Sequence, residues 1–161
     1  MKNIYLAGGC FWCIASVFYK KDGVIDVISG YSGGDEINPT YKEVKSQLTG
    51  HRETIKIIFD ESKISYLDIL EAFFNSVDPF DGEGQFIDKG FSYTLAVYYQ
   101  DNEEYEIVNN FLKEKQSHFD KKICISLEKF KAFYTAEEYH QHYSEKHPKE
   151  FEQELIGSHR K

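Results

Sequence analysis

The segment Ile4-Tyr5-Leu6-Ala7-Gly8-Gly9-Cys10-Phe11-Trp12-Cys13 sets the architecture at the start of the chain. Its apolar beginning predicts a short strand, and the apolar spacing from Phe11 onward predicts a helix to about residue 21. The glycines between them permit a sharp turn. Cys10 is thereby predicted at a helix N-terminus, where free N–H groups and the helix dipole favour an anion. We expect an uncovered thiol whose pKa is lowered by this position.

Strands and helices alternate along the rest of the chain, which predicts an α/β or α+β sheet with helices on one face. Strands are predicted at 4–8, 24–28, 54–59, 94–99 and 123–130. Helices are predicted at 11–21, 41–47, after Ser65, at 103–119 and at 136–146, with a glycine-rich loop at 78–90. No break in composition divides the chain, so residues 1–161 are expected to form one domain with a charged, mobile tail from about residue 150.

Charge and cysteine content exclude several classes of function. A net charge of −8 argues against binding to nucleic acid or to an anionic membrane. No apolar run approaches the ~20 residues of a membrane helix, and the first residues lack a signal-peptide pattern. Three cysteines in 161 residues do not form a disulfide scaffold. The sequence therefore predicts a reduced, cytoplasmic protein, and we expect a monomer.

Cys13 follows Cys10 by one helical turn and faces the same side of the helix. Cβ atoms at that spacing lie about 5–6 Å apart, whereas a disulfide needs roughly 3.5–4.5 Å. A Cys10–Cys13 bridge therefore requires the first turn to loosen. Cys13 is either a resolving thiol or a packing residue, and Cys124, within an apolar run, is expected in the core.

Two further sets of side chains leave two interpretations each, and a third set does not fit a metal site. Phe11 and Trp12 either pack in the core or form the walls of an apolar pocket suited to a methyl group on a polarised sulfur. Glu53, at the entrance to an apolar strand, is either solvated or a general acid whose pKa is raised by apolar walls. His140 and His142 lack the spacing, relative to the cysteines, of a zinc site.

The segment Gly9–Cys13 resembles the active-site motif of the peptide methionine sulfoxide reductase A family. Further blocks follow in the family's order and, together with this motif, cover most of residues 5–143. These blocks are Ser29–Gly34, Asn38–Val44, Thr49–Glu53, Asp78-Pro79, Gly84–Gly90, Ser92-Tyr93 and Phe133–Gln141.

This resemblance implies a fold and a reaction. The implied fold is α+β, a two-layer α/β plait with a ferredoxin-like core and additional helices and loops. The implied reaction reduces the S epimer of methionine sulfoxide, free or in proteins, to methionine, with no metal and no organic cofactor. Phe11 and Trp12 resemble the walls that hold the substrate's methyl group.

The resemblance also implies the catalytic roles. Cys10 resembles the nucleophile, and Glu53 resembles the acid that protonates the sulfoxide oxygen. Tyr41 and Tyr93 resemble the hydroxyls that hydrogen-bond this oxygen. Asp88 resembles a carboxylate that organises the site and the later disulfide step.

The chain departs from the family's pattern in its thiols. Many members place a resolving cysteine in a C-terminal tail, whereas Gly157–Lys161 contains none. Lys45 stands where a cysteine is common. These departures favour Cys13 as the resolving thiol, with a Cys10–Cys13 disulfide recycled by thioredoxin. Two alternatives remain from the sequence: a general thiol–disulfide oxidoreductase, and a module that binds oxidised methionine without reducing it.

Overall fold

The structure is a computed structural model that describes residues 1–157. Its strands are β1 (Lys2–Gly8), β2 (Val24–Ser32), β3 (Arg52–Phe59), β4 (Gly84–Gln85), β5 (Asp88–Lys89), β6 (Leu95–Tyr99), β7 (Ile125–Lys129) and β8 (Phe133–Thr135). Its helices are α1 (Phe11–Phe18), α2 (Tyr41–Lys45), α3 (Tyr66–Ser76), α4 (Asn102–Gln116), α5 (Tyr143–Lys146) and α6 (Pro148–Gly157).

The main sheet is mixed, with the strand order β7-β6-β1-β3-β2-β8. Strand β1 runs antiparallel to both β3 and β6, and β2 runs antiparallel to both β3 and β8. Strand β7 lies parallel to β6, as expected when helix α4 makes the crossover between them. The small strands β4 and β5 form a separate hairpin. The predicted combination of a sheet with covering helices is confirmed.

Side chains of β1 divide between the two faces of the sheet, because successive residues of a strand point in opposite directions. Ile4 and Leu6 are fully buried in the large core that helices α1, α3 and α4 form with the sheet. Tyr5 and Ala7 join a smaller aromatic cluster on the opposite face. Strand β1 ends at Gly8, and the turn that follows leads into helix α1 on the helix-covered face of the sheet.

The helix predicted at 136–146 is wrong. The structure has a short 3-10 turn at Glu138–His140 and then the four-residue helix α5. The amide of Gln141 bonds both backbone groups of Ser29 and also the carbonyl of Ala136, which holds the chain away from helical geometry. His142 then takes a left-handed conformation with a φ of 52°, so the helix can begin only after it.

The chain continues into a helix where the sequence predicted a charged tail. Pro148, predicted to end a helix, instead begins α6, since the first helical position does not require a backbone N–H. Phe151 of α6 is buried. The end of the predicted tail, 158–161, lies outside the described residues. Within 1–157, no helix has the length and apolarity needed to cross a membrane.

Candidate active site

The turn between β1 and α1 is tight because glycine occupies both of its critical positions. A Cβ at Gly8 would lie 3.0 Å from side-chain atoms of both Ile14 and Phe73, and Gly9 has a φ of 86°. Cys10 then caps α1, and its carbonyl accepts hydrogen bonds from Cys13 N at 3.1 Å and Ile14 N at 3.2 Å. Cys10 thus occupies the predicted place at the start of the helix.

The predicted uncovered and acidified thiol is wrong. Cys10 is only 7% exposed. A hydrogen bond with Cys13 raises the pKa of the Cys10 thiol well above its usual value, and burial raises it further. The N–H of Phe11, in the first turn of α1, is donated to Glu53 Oε1 at 3.1 Å. Burial and a neighbouring thiol therefore outweigh the helix N-terminus, and Cys10 is protonated at neutral pH.

Glu53 lies on β3 directly below the start of α1 and is 1% exposed. Its Oε1 accepts the Phe11 N–H, and its Oε2 has no hydrogen-bond partner among the described residues. Burial raises the pKa of Glu53 well above its usual range, the nearby Cys10 raises it further, and the Phe11 N–H opposes both effects. This shift favours the protonated form of Glu53.

A cavity of about 210 Å³ contains the predicted site residues other than Cys13. Its lining consists of Cys10, Phe11, Trp12, Tyr41, Lys45, Glu53, Asp88 and Tyr93. Burial raises the pKa of Tyr41 and of Tyr93, and Glu53, whenever it is ionised, raises both further. The two phenols are therefore neutral and able to donate hydrogen bonds inside the cavity.

Helix α2 carries Tyr41 into this cavity and is fixed from both sides. Thr40 and Glu43 form a reciprocal capping box at its start. The carboxylate of Glu137 accepts the Tyr41 N–H at 3.0 Å through one oxygen and the Tyr31 hydroxyl at 2.8 Å through the other. Glu137 is therefore a positioning residue that the sequence reasoning did not identify.

Trp12 is held in place by two groups from the C-terminal part of the chain. Its indole stacks on Tyr143 with ring centres 3.9 Å apart. Its Nε1 donates to His140 Nδ1 at 3.0 Å. His140 is 1% exposed, and burial lowers its pKa, which keeps the imidazole neutral and able to accept this bond.

His140 is thus a support for the Trp12 wall. Residues 1–157 contain no cluster of three or more potential metal ligands. Both His140 and Glu137 lie in the block Phe133–Gln141. The resemblance includes this block but assigns no function to its residues, so the block is the sequence signal that could have identified both supports.

Asp88 reaches the cavity from the β4–β5 hairpin. The hairpin is anchored by Gln85, which is fully buried and whose side chain bonds both the backbone N–H and the carbonyl of Asp78. Gly84 has a φ of 152°, and a Cβ there would lie 2.2 Å from the Asp88 carbonyl oxygen. Only glycine fits at that position, so the hairpin geometry that presents Asp88 depends on it.

Helix α6 covers the cysteine pair on the side away from the cavity. Phe151 packs in one cluster with Cys10 and Cys13, and Cys13 is 3% exposed. Trp12, Tyr143 and Leu155 pack against the same cluster. Cys124, predicted in the core, is only partly buried, with its Sγ 3.6 Å from the Phe80 carbonyl oxygen.

Comparison with known proteins agrees with this constellation. A family model described as peptide methionine sulfoxide reductase matches residues 2–161. The chain belongs to the peptide methionine sulfoxide reductase family. It is 42% identical over 153 residues to peptide methionine sulfoxide reductase MsrA of Streptococcus mutans. The aligned residues make up 94% of this chain and 90% of that relative. Membership in the family makes the chain an enzyme, an oxidoreductase of the methionine sulfoxide reductase class.

Solved structures of the family share the fold. Reduced Mxr1 from Saccharomyces cerevisiae superposes with a TM-score of 0.87 and 30% identity over 92% of this chain and 86% of that one. Mxr1 in complex with Trx2 superposes with a TM-score of 0.59 and 21% identity over 88% of this chain and 84% of that one. The cavity therefore lies in a fold that a methionine sulfoxide reductase also adopts.

Proposed function

We propose that this chain reduces the S epimer of methionine sulfoxide, free and within proteins, and thereby repairs oxidised proteins. One observation carries the proposal. The carboxyl of Glu53 is buried, has a raised pKa that favours its protonated form, and has no hydrogen-bond partner at Oε2 among the described residues, and it lines the same small cavity as the Cys10 thiol. A sulfoxide is a poor electrophile until its oxygen is protonated, and this pairing supplies both the proton and the nucleophile.

In the first step the sulfoxide oxygen accepts hydrogen bonds from Tyr41 and Tyr93 and a proton from Glu53. The sulfur of Cys10 forms a bond to this oxygen as the bond between the oxygen and the substrate sulfur breaks. The thiol proton replaces the one that Glu53 gave up. Methionine leaves, and Cys10 becomes a sulfenic acid, so the substrate sulfur is reduced by two electrons and Cys10 is oxidised by two. In this water-poor cavity, hydrogen bonds to the developing charge are strong.

The substrate's methyl group lies between Phe11 and Trp12 in this mechanism. An aromatic face attracts a methyl carried by a polarised sulfur, because the ring quadrupole places negative charge on its face. The hydrogen bond from Trp12 to His140 and the stacking on Tyr143 fix the indole in place. Asp88, on the neighbouring hairpin, organises the mouth of the site.

In the second step the Cys13 thiol attacks the sulfur of the Cys10 sulfenic acid, which forms a disulfide and releases water. The contact between the two thiols supports this role for Cys13. An external dithiol such as thioredoxin then reduces the disulfide by exchange and is itself oxidised. The complex of the yeast relative with Trx2 supports this recycling route.

Four further expectations accompany this proposal. We propose that the fold is a two-layer α/β plait around a ferredoxin-like core, and the strand order of the main sheet supports this description. The Cys10–Cys13 disulfide would be transient, which suits a reducing, cytoplasmic compartment. We further propose that the enzyme acts as a monomer and needs no cofactor.

The test is turnover of the separated S and R epimers of a blocked methionine sulfoxide with dithiothreitol. We expect reduction of the S epimer alone, its loss in Cys10→Ser, and its retention in the matched control Cys124→Ser. Reduction of neither epimer by the wild-type protein would contradict the proposal. If the chain binds a sulfoxide peptide without releasing methionine, it is a binding module.

The resolving role of Cys13 needs a separate measurement. Cys13→Ser should release one equivalent of methionine per enzyme but fail to cycle with thioredoxin. Normal cycling of this variant would show that Cys13 is not the resolving thiol. Rapid reduction of insulin disulfides without any sulfoxide reduction would instead favour the general oxidoreductase.

A further inference from the structure

We propose that Lys45 makes this enzyme favour methionine sulfoxides that carry a carboxylate next to the reacting side chain. The inference rests on the proposed function, because it concerns which substrates enter the cavity above Cys10. Lys45 stands at a position where a cysteine is common in the family, and the proposal gives this lysine a role in substrate preference.

Lys45 is aimed at the cavity by its place on α2. It is the last residue of that helix and follows Tyr41, the first, by four positions, which puts both side chains on one face. The Lys45 Nζ lies 5.7 Å from the centre of the Tyr41 ring. Because Tyr41 faces the cavity, Lys45 also lines it, and its exposure to solvent places it at the mouth.

The helix that carries Lys45 is rigidly held. Val44 is fully buried, the capping box fixes the start of α2, and Glu137 accepts the Tyr41 N–H. The backbone position of Lys45 is therefore fixed by the fold, and the ammonium can move only through rotation of the lysine side chain. Within 1–157, Lys45 takes part in no ion pair.

Charges around the cavity make the ammonium decisive for an incoming anion. The two phenols are neutral at neutral pH, and the raised pKa of Glu53 favours its neutral form. Asp88 and Lys45 are then the charged side chains among the described residues of the lining. Asp88 repels a carboxylate and Lys45 attracts it. Removing Lys45 leaves the mouth with the repulsive charge alone.

The substrate carries a carboxylate at a defined reach from its sulfur. The α-carboxylate of methionine sulfoxide is four bonds from the sulfur, ~5 Å in an extended chain. A sulfoxide held at Cys10 therefore presents its carboxylate toward the mouth of the cavity. In a protein the α-carboxylate is an amide, and a flanking Asp or Glu side chain is the remaining source of the same charge.

The experiment compares N-acetyl-methionine S-sulfoxide with its N-methylamide, two substrates that differ in the presence of the carboxylate. The measured quantity is the ratio of their kcat/KM values. We expect Lys45→Gln to lower this ratio by about two- to fivefold, the range of an exposed ion pair. Lys42→Gln removes an exposed lysine of the same helix that does not line the cavity, and it should leave the ratio unchanged.

Salt and a peptide pair complete the test. Added salt should lower the wild-type ratio and have less effect on Lys45→Gln, because screening acts on the pair that the variant lacks. Peptides with Asp or Asn on both sides of the sulfoxide show whether flanking acids are selected as well. A shift in either arm supports the proposal and identifies the source of the carboxylate. Ratios equal in Lys45→Gln and wild type in both arms would overturn it, whereas a wild type that reduces no substrate overturns the proposed function itself.

Discussion

Arg52 and Glu53 are neighbours on β3, and both are buried, but they point to opposite faces of the sheet and differ in every other respect. Arg52 has three hydrogen-bond partners on its face. Its guanidinium donates to Glu128 at 2.7 Å, to the Tyr98 hydroxyl at 3.1 Å and to Thr94 Oγ1 at 2.8 Å.

Glu53 faces the helices and has one backbone N–H as its partner among the described residues. A buried charge persists only where partners replace the water it has lost. Arg52 therefore keeps its charge and stabilises the fold, whereas the raised pKa of Glu53 favours its protonated form, and one of its oxygens stays free for chemistry. The number of partners separates a structural ionisable group from a reactive one more clearly than burial does.

The largest expected effect comes from removing the proton of Glu53. Glu53→Gln retains an acceptor for the Phe11 N–H but cannot protonate the sulfoxide. We expect the rate of methionine release in a single turnover to fall by about 10²–10⁴-fold, the usual contribution of a general acid. A rate within threefold of the wild type would contradict the assignment of Glu53 as the acid.

The next effect is on stability and belongs to the other face. Arg52→Met deprives Tyr98, Thr94 and Glu128 of a shared donor, so we expect the free energy of unfolding in urea to fall by about 2 kcal/mol. Lys56→Met is the matched control, because Lys56 lies on the same strand and face without an ion pair within 1–157. It should change stability by no more than about 0.5 kcal/mol. Equal effects of the two substitutions would show that the partners of Arg52 contribute nothing specific.

The smallest effect, taken per pH unit, is a pH dependence of stability. The folded-state pKa of Glu53 is raised from an ordinary value of 4.5, so the folded chain holds a proton that the unfolded chain releases. Stability should therefore fall as pH rises from about that value toward the raised pKa, by at most about 1.4 kcal/mol per pH unit. Glu53→Gln lacks this slope.

This slope is isolated by unfolding curves from pH 4 to 8 of two proteins that both carry Cys10→Ser. One keeps Glu53 and the other also carries Glu53→Gln. Parallel stability profiles would mean that Glu53 is ionised in the folded protein.

Local patterns predicted much of the scaffold. Short apolar runs located β1, β3 and β6, and Ser65 with Asp68 forms the capping box that begins α3. The resemblance located the residues around the cavity. These signals succeed because each is contained within one element or one motif.

The failures concern contacts between distant segments. Trp12 bonds a histidine 128 positions away, and Tyr31 bonds Glu137 across 106 positions. No local periodicity encodes such pairs, so the supports of Trp12 and Tyr41 were missed. The thiol pKa of Cys10 was mispredicted for the same reason, since its position on the helix is local but its burial depends on α6.

The packing of Phe151 on the cysteine pair has a consequence for chemical labelling. Cys13 does not line the cavity, so an alkylating reagent reaches it only when α6 has moved, whereas Cys124 is partly exposed in the closed fold. With limiting reagent we therefore expect Cys124 to be alkylated before Cys13. The labelling of Cys13 in this protein reports the opening of a helix.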